Sequence, residues 1–293
     1  MRLAFAFKSG LAPALSLIGM VCAGSALAES PKPALQPPPQ ALPSYADLAD
    51  LADNSTLVLK AKIRKVAEVE PARAIGVRPG WARLYVEAVT ENLLTGPAAV
   101  GSALRYLVDV KRDARGKLPK LSKQSVLLFA RYVPARPGIV PTGDIQLIAP
   151  DAQLIWDVTT DSLLRMILVE IFAPGAPGRI SRVHEAIYVP GTLAAQGETQ
   201  IFLATPDGEP AAITVLHHPG MPTHWGVSFS ELMSTTGVPP GRNTLTWYRL
   251  ACFLPPTLQA GVNVSTTPED RAQADTDYRR VMTDLGPCPR TRR

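Results

Sequence analysis

Cysteine, histidine and any large excess of charge are what this sequence lacks, and each shortage removes a class of function. Three cysteines and four histidines in 293 residues nowhere take the spacing of a zinc site, so no metal or cofactor is expected. The formal charge of +5 is small, and part of it sits at the two ends, with Arg2 and Lys8 near the start and Arg290, Arg292 and Arg293 at the finish. The body between them is close to neutral, which argues against a nucleic-acid binder. Catalytic motifs are missing too. Gly226-Val227-Ser228-Phe229-Ser230 begins like a nucleophile elbow but lacks the closing glycine and lies on an alternating, strand-like stretch.

What is present begins with an export signal. Arg2 and Lys8 form a positive n-region, Leu11 to Val21 an apolar h-region, and Ala26-Leu27-Ala28 a cleavage site, so cutting after Ala28 is expected. The same residues also permit an uncleaved anchor or lipid attachment at Cys22. Pro13 and the small residues 23–26 weaken a membrane helix, and Val21 is bulky for a lipidation site. Cleavage lowers the charge to +3 and removes Cys22. Cys252 and Cys288 remain as an even pair in an oxidising compartment, where a disulfide is expected. The chain is therefore expected in the periplasm or outside the cell, with no transmembrane helix after cleavage.

Residues 29–43 hold six prolines and read as an extended linker. Ser44 and Asp47 then form a capping box for a helix carrying Tyr45, Leu48 and Leu51, ending near Asp53. From Thr56 the apolar period changes to two. Leu57 to Arg64, Ala82 to Asn92, Ala103 to Val110 and Ser125 to Val133 read as four strands of a small barrel or sandwich. Pro150 to Phe172 reads as the next unit, with Thr160 capping a helix whose Leu163, Leu164, Ile167, Leu168, Ile171 and Phe172 form a core stripe. Strands are expected again at Val183 to Val189 and Thr199 to Thr205, then across a Pro206-Asp207-Gly208-Glu209-Pro210 turn at Ala211 to His217. Trp225 to Phe229 and Thr244 to Leu254 read as the last two strands. Thr267-Pro268-Glu269-Asp270 starts a final helix that runs to about Leu285.

The expected fold is mainly β (α+β): two small antiparallel β units with a central apolar helix and a C-terminal helix. The parts are a signal peptide (1–28), a proline-rich linker (29–43), an N-terminal β unit (44–148), a helical connector (149–180), a C-terminal β unit (181–256), and a C-terminal helix with basic tail (257–293). Leu57-Val58-Leu59-Lys60-Ala61-Lys62-Ile63, followed by Leu84-Tyr85-Val86-Glu87-Ala88-Val89 closing on Leu94-Thr95-Gly96, resembles the opening strands of secreted OB-fold-like barrels of the netrin and metalloproteinase-inhibitor type. The resemblance spans residues 56–110 and implies a barrel. The N-terminal cysteine pair of those inhibitors is absent, so inhibition is not implied. The whole chain also resembles uncharacterised exported proteins of Gram-negative bacteria.

Candidate sites are few. His217, His218 and His224 cluster, but neighbours on a strand face opposite ways, and no carboxylate falls in the cluster. His184 and Glu185 are likewise adjacent and point apart. Gly197, Glu198, Thr199 and Gln200 could line a pocket or be ordinary turn residues. Lys111, Arg112, Arg115, Lys117, Lys120 and Lys123 form a basic loop opposed only by Asp113, and Lys60, Lys62 and Arg64 add a candidate basic strand face. The expected function is non-catalytic: an exported envelope protein that binds a protein partner or an anionic surface. The alternative is an exported hydrolase with a site near His217, His218, His224 or Glu198.

Overall fold

The computed structural model describes residues 42–96, 100–133, 143–229 and 238–292. The expected signal peptide and almost all of the proline linker lie outside them. The first described element is the helix that the capping box predicts, α1 (Tyr45–Asp53): Ser44 Oγ accepts from the Asp47 N–H at 3.1 Å, and the Asp47 carboxylate accepts from the Ser44 N–H at 3.0 Å. Its repeated Ala-Asp-Leu places Leu48 and Leu51 in the core and leaves Asp47, Asp50 and Asp53 for polar partners.

Six strands follow in one sheet: β1 (Leu57–Glu68), β2 (Trp81–Thr95), β3 (Ala103–Lys111), β4 (Ser125–Tyr132), β5 (Ile145–Leu147) and β6 (Gln153–Ile155). Their order is β3-β2-β1-β4-β5, all antiparallel, with β6 also paired to β4. The sheet curls until its ends meet. Arg105 of β3 bridges Asp144 in parallel, and the Arg105 N–H donates to the Gly143 carbonyl at 3.0 Å. Only glycine fits at 143, where φ is 73° and a Cβ would lie 2.0 Å from the Ala103 carbonyl oxygen. Leu57, Leu59, Ile63, Leu84 and Leu104 fill the interior; burying a leucine side chain of this kind contributes about 1.5–3 kcal/mol.

The second sheet is a meander in the order β10-β9-β8-β7, from β7 (Arg182–Pro190), β8 (Gly197–Ala204), β9 (Ala211–His217) and β10 (His224–Ser228). The turn at residues 205–210 falls where the sequence places it, with Gly208 at φ 79°. The sheet packs through β7 and β8 on α4 (Pro268–Leu285), whose buried Ala274, Tyr278, Val281 and Leu285 recur at helical spacing. Its cap also matches expectation: Thr267 Oγ1 accepts from the Asp270 N–H at 3.1 Å. The fold is thus α+β and strand-rich, and among the described residues the buried side chains of both sheets and the four α-helices form one contiguous core.

Three expectations need correction. Residues 244–254 are not a strand: α3 (Leu245–Ala251) forms there, capped by Thr244, which accepts from the Trp247 N–H at 3.2 Å. The stretch reads as β because Thr244, Thr246, Trp247 and Tyr248 are β-prone types, yet Leu245, Trp247, Tyr248, Arg249 and Leu250 are all buried on a helix enclosed on nearly every side. The central helix begins earlier than a cap at Thr160 implies. α2 spans Val158–Ile171 and is capped by Asp157, with Thr160 as the donor N–H rather than the cap, and β6 occupies the residues before it. Its stripe also splits: Leu164, Ile167 and Leu168 are buried, whereas Phe172 lies outward with Val158, Met166 and Val169.

Cys252 and Cys288 are joined, with Sγ–Sγ 2.11 Å and Cα–Cα 5.1 Å. Because Cys252 is the C-cap of α3, the bridge links α4's exit to a helix and not to a strand. The residues after it are a clasp on α1, not a loose basic tail. Arg290 makes a forked contact to Asp50 at 2.6 and 3.0 Å, the Thr291 hydroxyl donates to Asp47 at 2.6 Å, and the Arg292 N–H donates to Asp47 at 2.9 Å. Burial raises the Asp47 carboxyl, but the hydrogen bonds from Thr291, Arg292 and Ser44 outweigh it and hold Asp47 below the usual range.

Candidate functional site

His217 is the last residue of β9 and pairs across the sheet with Gly197 of β8. A Cβ at Gly197 would meet the Tyr188 hydroxyl at 2.1 Å, so glycine there leaves room for the Tyr188 ring, which stands edge-on to His217 with centroids 6.1 Å apart. Beneath His217 lies Asp277 of α4, 2% exposed. Three side chains donate to its carboxylate: His217 Nε2 at 2.9 and 3.0 Å, Thr199 Oγ1 at 2.5 Å and Gln273 Nε2 at 3.0 Å. A buried carboxylate needs such company, since leaving it unpaired costs several kcal/mol. With the Nε2 proton directed at Asp277, Nδ1 of His217 carries the lone pair, and it accepts from the Thr223 hydroxyl at 3.2 Å. Burial, then the negative charges of Asp277 and Asp270, push the Tyr188 hydroxyl up.

His217 and Gly197 also border a cleft of about 400 Å³, whose other lining residues include Glu198, Gln200, His218 and Val189. Glu198 and Gln200 project from one face of β8 and hydrogen-bond each other, while Thr199 is on the opposite, buried face. The two adjacent histidines part as the sheet requires. His218 turns away from Asp277 and stacks on His224, centroids 5.8 Å apart and planes 22° off parallel. Among the described residues no three His, Cys, Asp or Glu side chains converge as a metal-ligand set. His184 is exposed at a register shift in β7, and Glu185 is half-buried beside it.

Asp277 is the residue that sequence reasoning missed, because it lies sixty positions from His217. A signal was available: in α4 the core stripe runs 274, 277 and 278, 281, 285, so an aspartate stands at a core position and calls for a buried donor.

The basic loop forms a second candidate surface. Leu121 is buried and anchors it, and the Asp113 carboxylate accepts from the Arg115 and Lys117 N–H groups, both at 2.8 Å. Arg112 is committed to Glu68 and to the Gly116 carbonyl. Lys111, Arg115, Lys117, Lys120 and Lys123 are exposed and, among the described residues, have no carboxylate partner. The loop returns alongside β1: Lys123 N–H donates to the Ile63 carbonyl and Ile63 N–H to the Gln124 carbonyl, each at 2.9 Å. Exposed Arg64 therefore lies next to the loop's end. Lys60 is engaged elsewhere, paired with Glu91 at 3.6 Å and lying 3.6 Å over the Trp156 ring.

A larger groove of about 520 Å³ runs on the outer face of β2 and β3, beside Tyr85, Leu107 and Ile145. Its charges satisfy one another, since Arg83 grips Asp109 through two bonds of 2.7 and 2.9 Å. Among the described residues no helix is long and apolar enough to cross a membrane. No protein-family model matches the chain, and no curated protein matches it in sequence.

Proposed function

We propose that this is an exported protein of the bacterial envelope that binds a phosphate-rich anionic surface through the basic loop and the adjoining end of β1. The observation that carries the reading is the meeting of Lys123 with Ile63, which puts the loop beside Arg64 while Lys111, Arg115, Lys117 and Lys120 have no carboxylate partner among the described residues. Cations held this way raise the local concentration of an anionic surface without a shaped pocket. Export is supported by the N-terminal signal pattern and by the Cys252–Cys288 pair, which belongs to an oxidising compartment. The contact that closes the first sheet, from Arg105 to Gly143, supports an OB-like reading of residues 56–110.

Co-sedimentation of the mature protein with phosphatidylglycerol vesicles tests the proposal. Binding is expected at low salt, with little to phosphatidylcholine vesicles, and should fall away as the Debye length shrinks to about 3 Å near 1 M salt. Salt-insensitive or absent binding rejects it. A protein partner is the second reading, favoured by the outward row of Val158, Met166, Val169 and Phe172 on α2. Site-specific crosslinking from position 166 in cells reports on that face. One discrete adduct there, with no vesicle binding, would replace the first reading with the second.

A further inference from the structure

We infer that Thr223 is a general-base-activated nucleophile, with His217 as its base and Asp277 as the residue that positions the base, and that the site takes small activated esters. The inference goes beyond surface binding and does not depend on it. Three observations carry it. The nucleophile and base are in contact, Thr223 Oγ1 to His217 Nδ1 at 3.2 Å. The base is held from its far side by a carboxylate at 2.9 and 3.0 Å, which fixes both ring orientation and tautomer. That carboxylate is itself held by Thr199 and Gln273, so the assembly is set before any ligand arrives.

The surroundings agree with the role. Thr223 is half-buried just before β10, after a turn closed by the Met221 N–H donating to the His218 carbonyl at 3.1 Å. His217 has 18% of its side chain exposed. The base is therefore reachable, whereas Asp277, at 2% exposure, is not. Thr223 Oγ1 attacks the acyl carbon as its proton passes to His217 Nδ1. The bond from that carbon to the leaving oxygen breaks, and the departing alkoxide takes the proton from His217. Water then attacks the acyl-threonine and gives a proton to the same nitrogen. The carbon–Oγ1 bond breaks, Thr223 recovers its proton, and a carboxylic acid leaves. The net reaction is ester plus water to alcohol plus acid.

The test uses the full mature protein with an alkyl fluorophosphonate, followed by peptide mass mapping, and p-nitrophenyl acetate turnover in parallel. One adduct on Thr223 is expected. Thr223→Ala should remove both adduct and turnover, and Thr223→Ser should restore them. Asp277→Asn should slow labelling at least about tenfold, since it turns the imidazole to the wrong tautomer. Circular dichroism checks that each variant is folded. Should Asp277→Asn fail to fold, the Thr223 pair still decides, because that side chain is only half-buried. An adduct elsewhere, no adduct, turnover that survives Thr223→Ala, or a folded Asp277→Asn that labels at the wild-type rate overturns the inference.

Discussion

Replacing Asp53 by asparagine would leave Arg249 of α3 buried without its counter-charge. Arg249 is 4% exposed and reaches Asp53 through two parallel bonds of 2.7 and 2.8 Å, with a third donor bond to the Pro177 carbonyl at 3.2 Å. Arg179 also contacts Asp53 at 2.7 Å, but its side chain is 47% exposed, so water screens that pair and its loss adds little. The cost is therefore that of stranding one buried guanidinium, about 3–5 kcal/mol. In a domain of this size that lowers the melting temperature by roughly 6–20 °C. Urea unfolding followed by circular dichroism, with the disulfide intact, measures it. The same logic predicts that Asp53→Leu with Arg249→Met recovers most of the loss, since the strain lies in the unpaired charge and not in the missing bond. A single-variant loss below about 1 kcal/mol, or a double variant no better than Asp53→Asn, would refute the argument that α1 is locked to α3 through this pair.

Acid should weaken the same region. The carboxyls of Asp47 and Asp53 are raised by burial but lowered further by Thr291 and Arg292 in one case and by Arg249 and Arg179 in the other, so both sit below their unfolded values. Their contribution is complete above the ordinary carboxylate value of about 4 and is lost as pH falls through the depressed folded values; a melting temperature flat below pH 4 would contradict this. Cys252→Ser with Cys288→Ser opens a bridge between residues 36 apart, and should cost about 4 kcal/mol by chain entropy. Denaturant midpoints with and without the bridge check it. Gly197→Ala drives a methyl into Tyr188, and nuclear magnetic resonance should show displaced Tyr188 and His217 ring signals together with lower stability.

Local signals are what the sequence carries best. The Ser44 and Thr267 capping boxes, the turn at 206–210 and the cysteine pair are each decided by a few adjacent residues and one physical rule. The errors lie where local preference and tertiary context diverge. Residues 245–251 contain strand-prone types, but Trp247 and Tyr248 are wholly buried against α1 and α4, and the Trp247 indole donates to the Leu285 carbonyl at 2.9 Å. That packing favours a helix over intrinsic propensity. The basic C-terminus reads as a solvated tail because nothing in Arg290 to Arg292 announces that α1 presents Asp47 and Asp50 to it. The His217–Asp277 contact is hidden for the same reason, being made across sixty residues by the packing of α4 on the second sheet.

The proposed surface rests on lysines that sequence and structure both place in the loop, and charge reversal there is the most direct test. The triple variant Lys117→Glu, Lys120→Glu and Lys123→Glu changes exposed residues. Each cation near an anionic bilayer contributes about 1 kcal/mol, so reversal of three should weaken binding to phosphatidylglycerol vesicles at least about 100-fold while leaving the melting temperature unchanged. A folded triple variant that binds such vesicles as the wild type does would contradict the account.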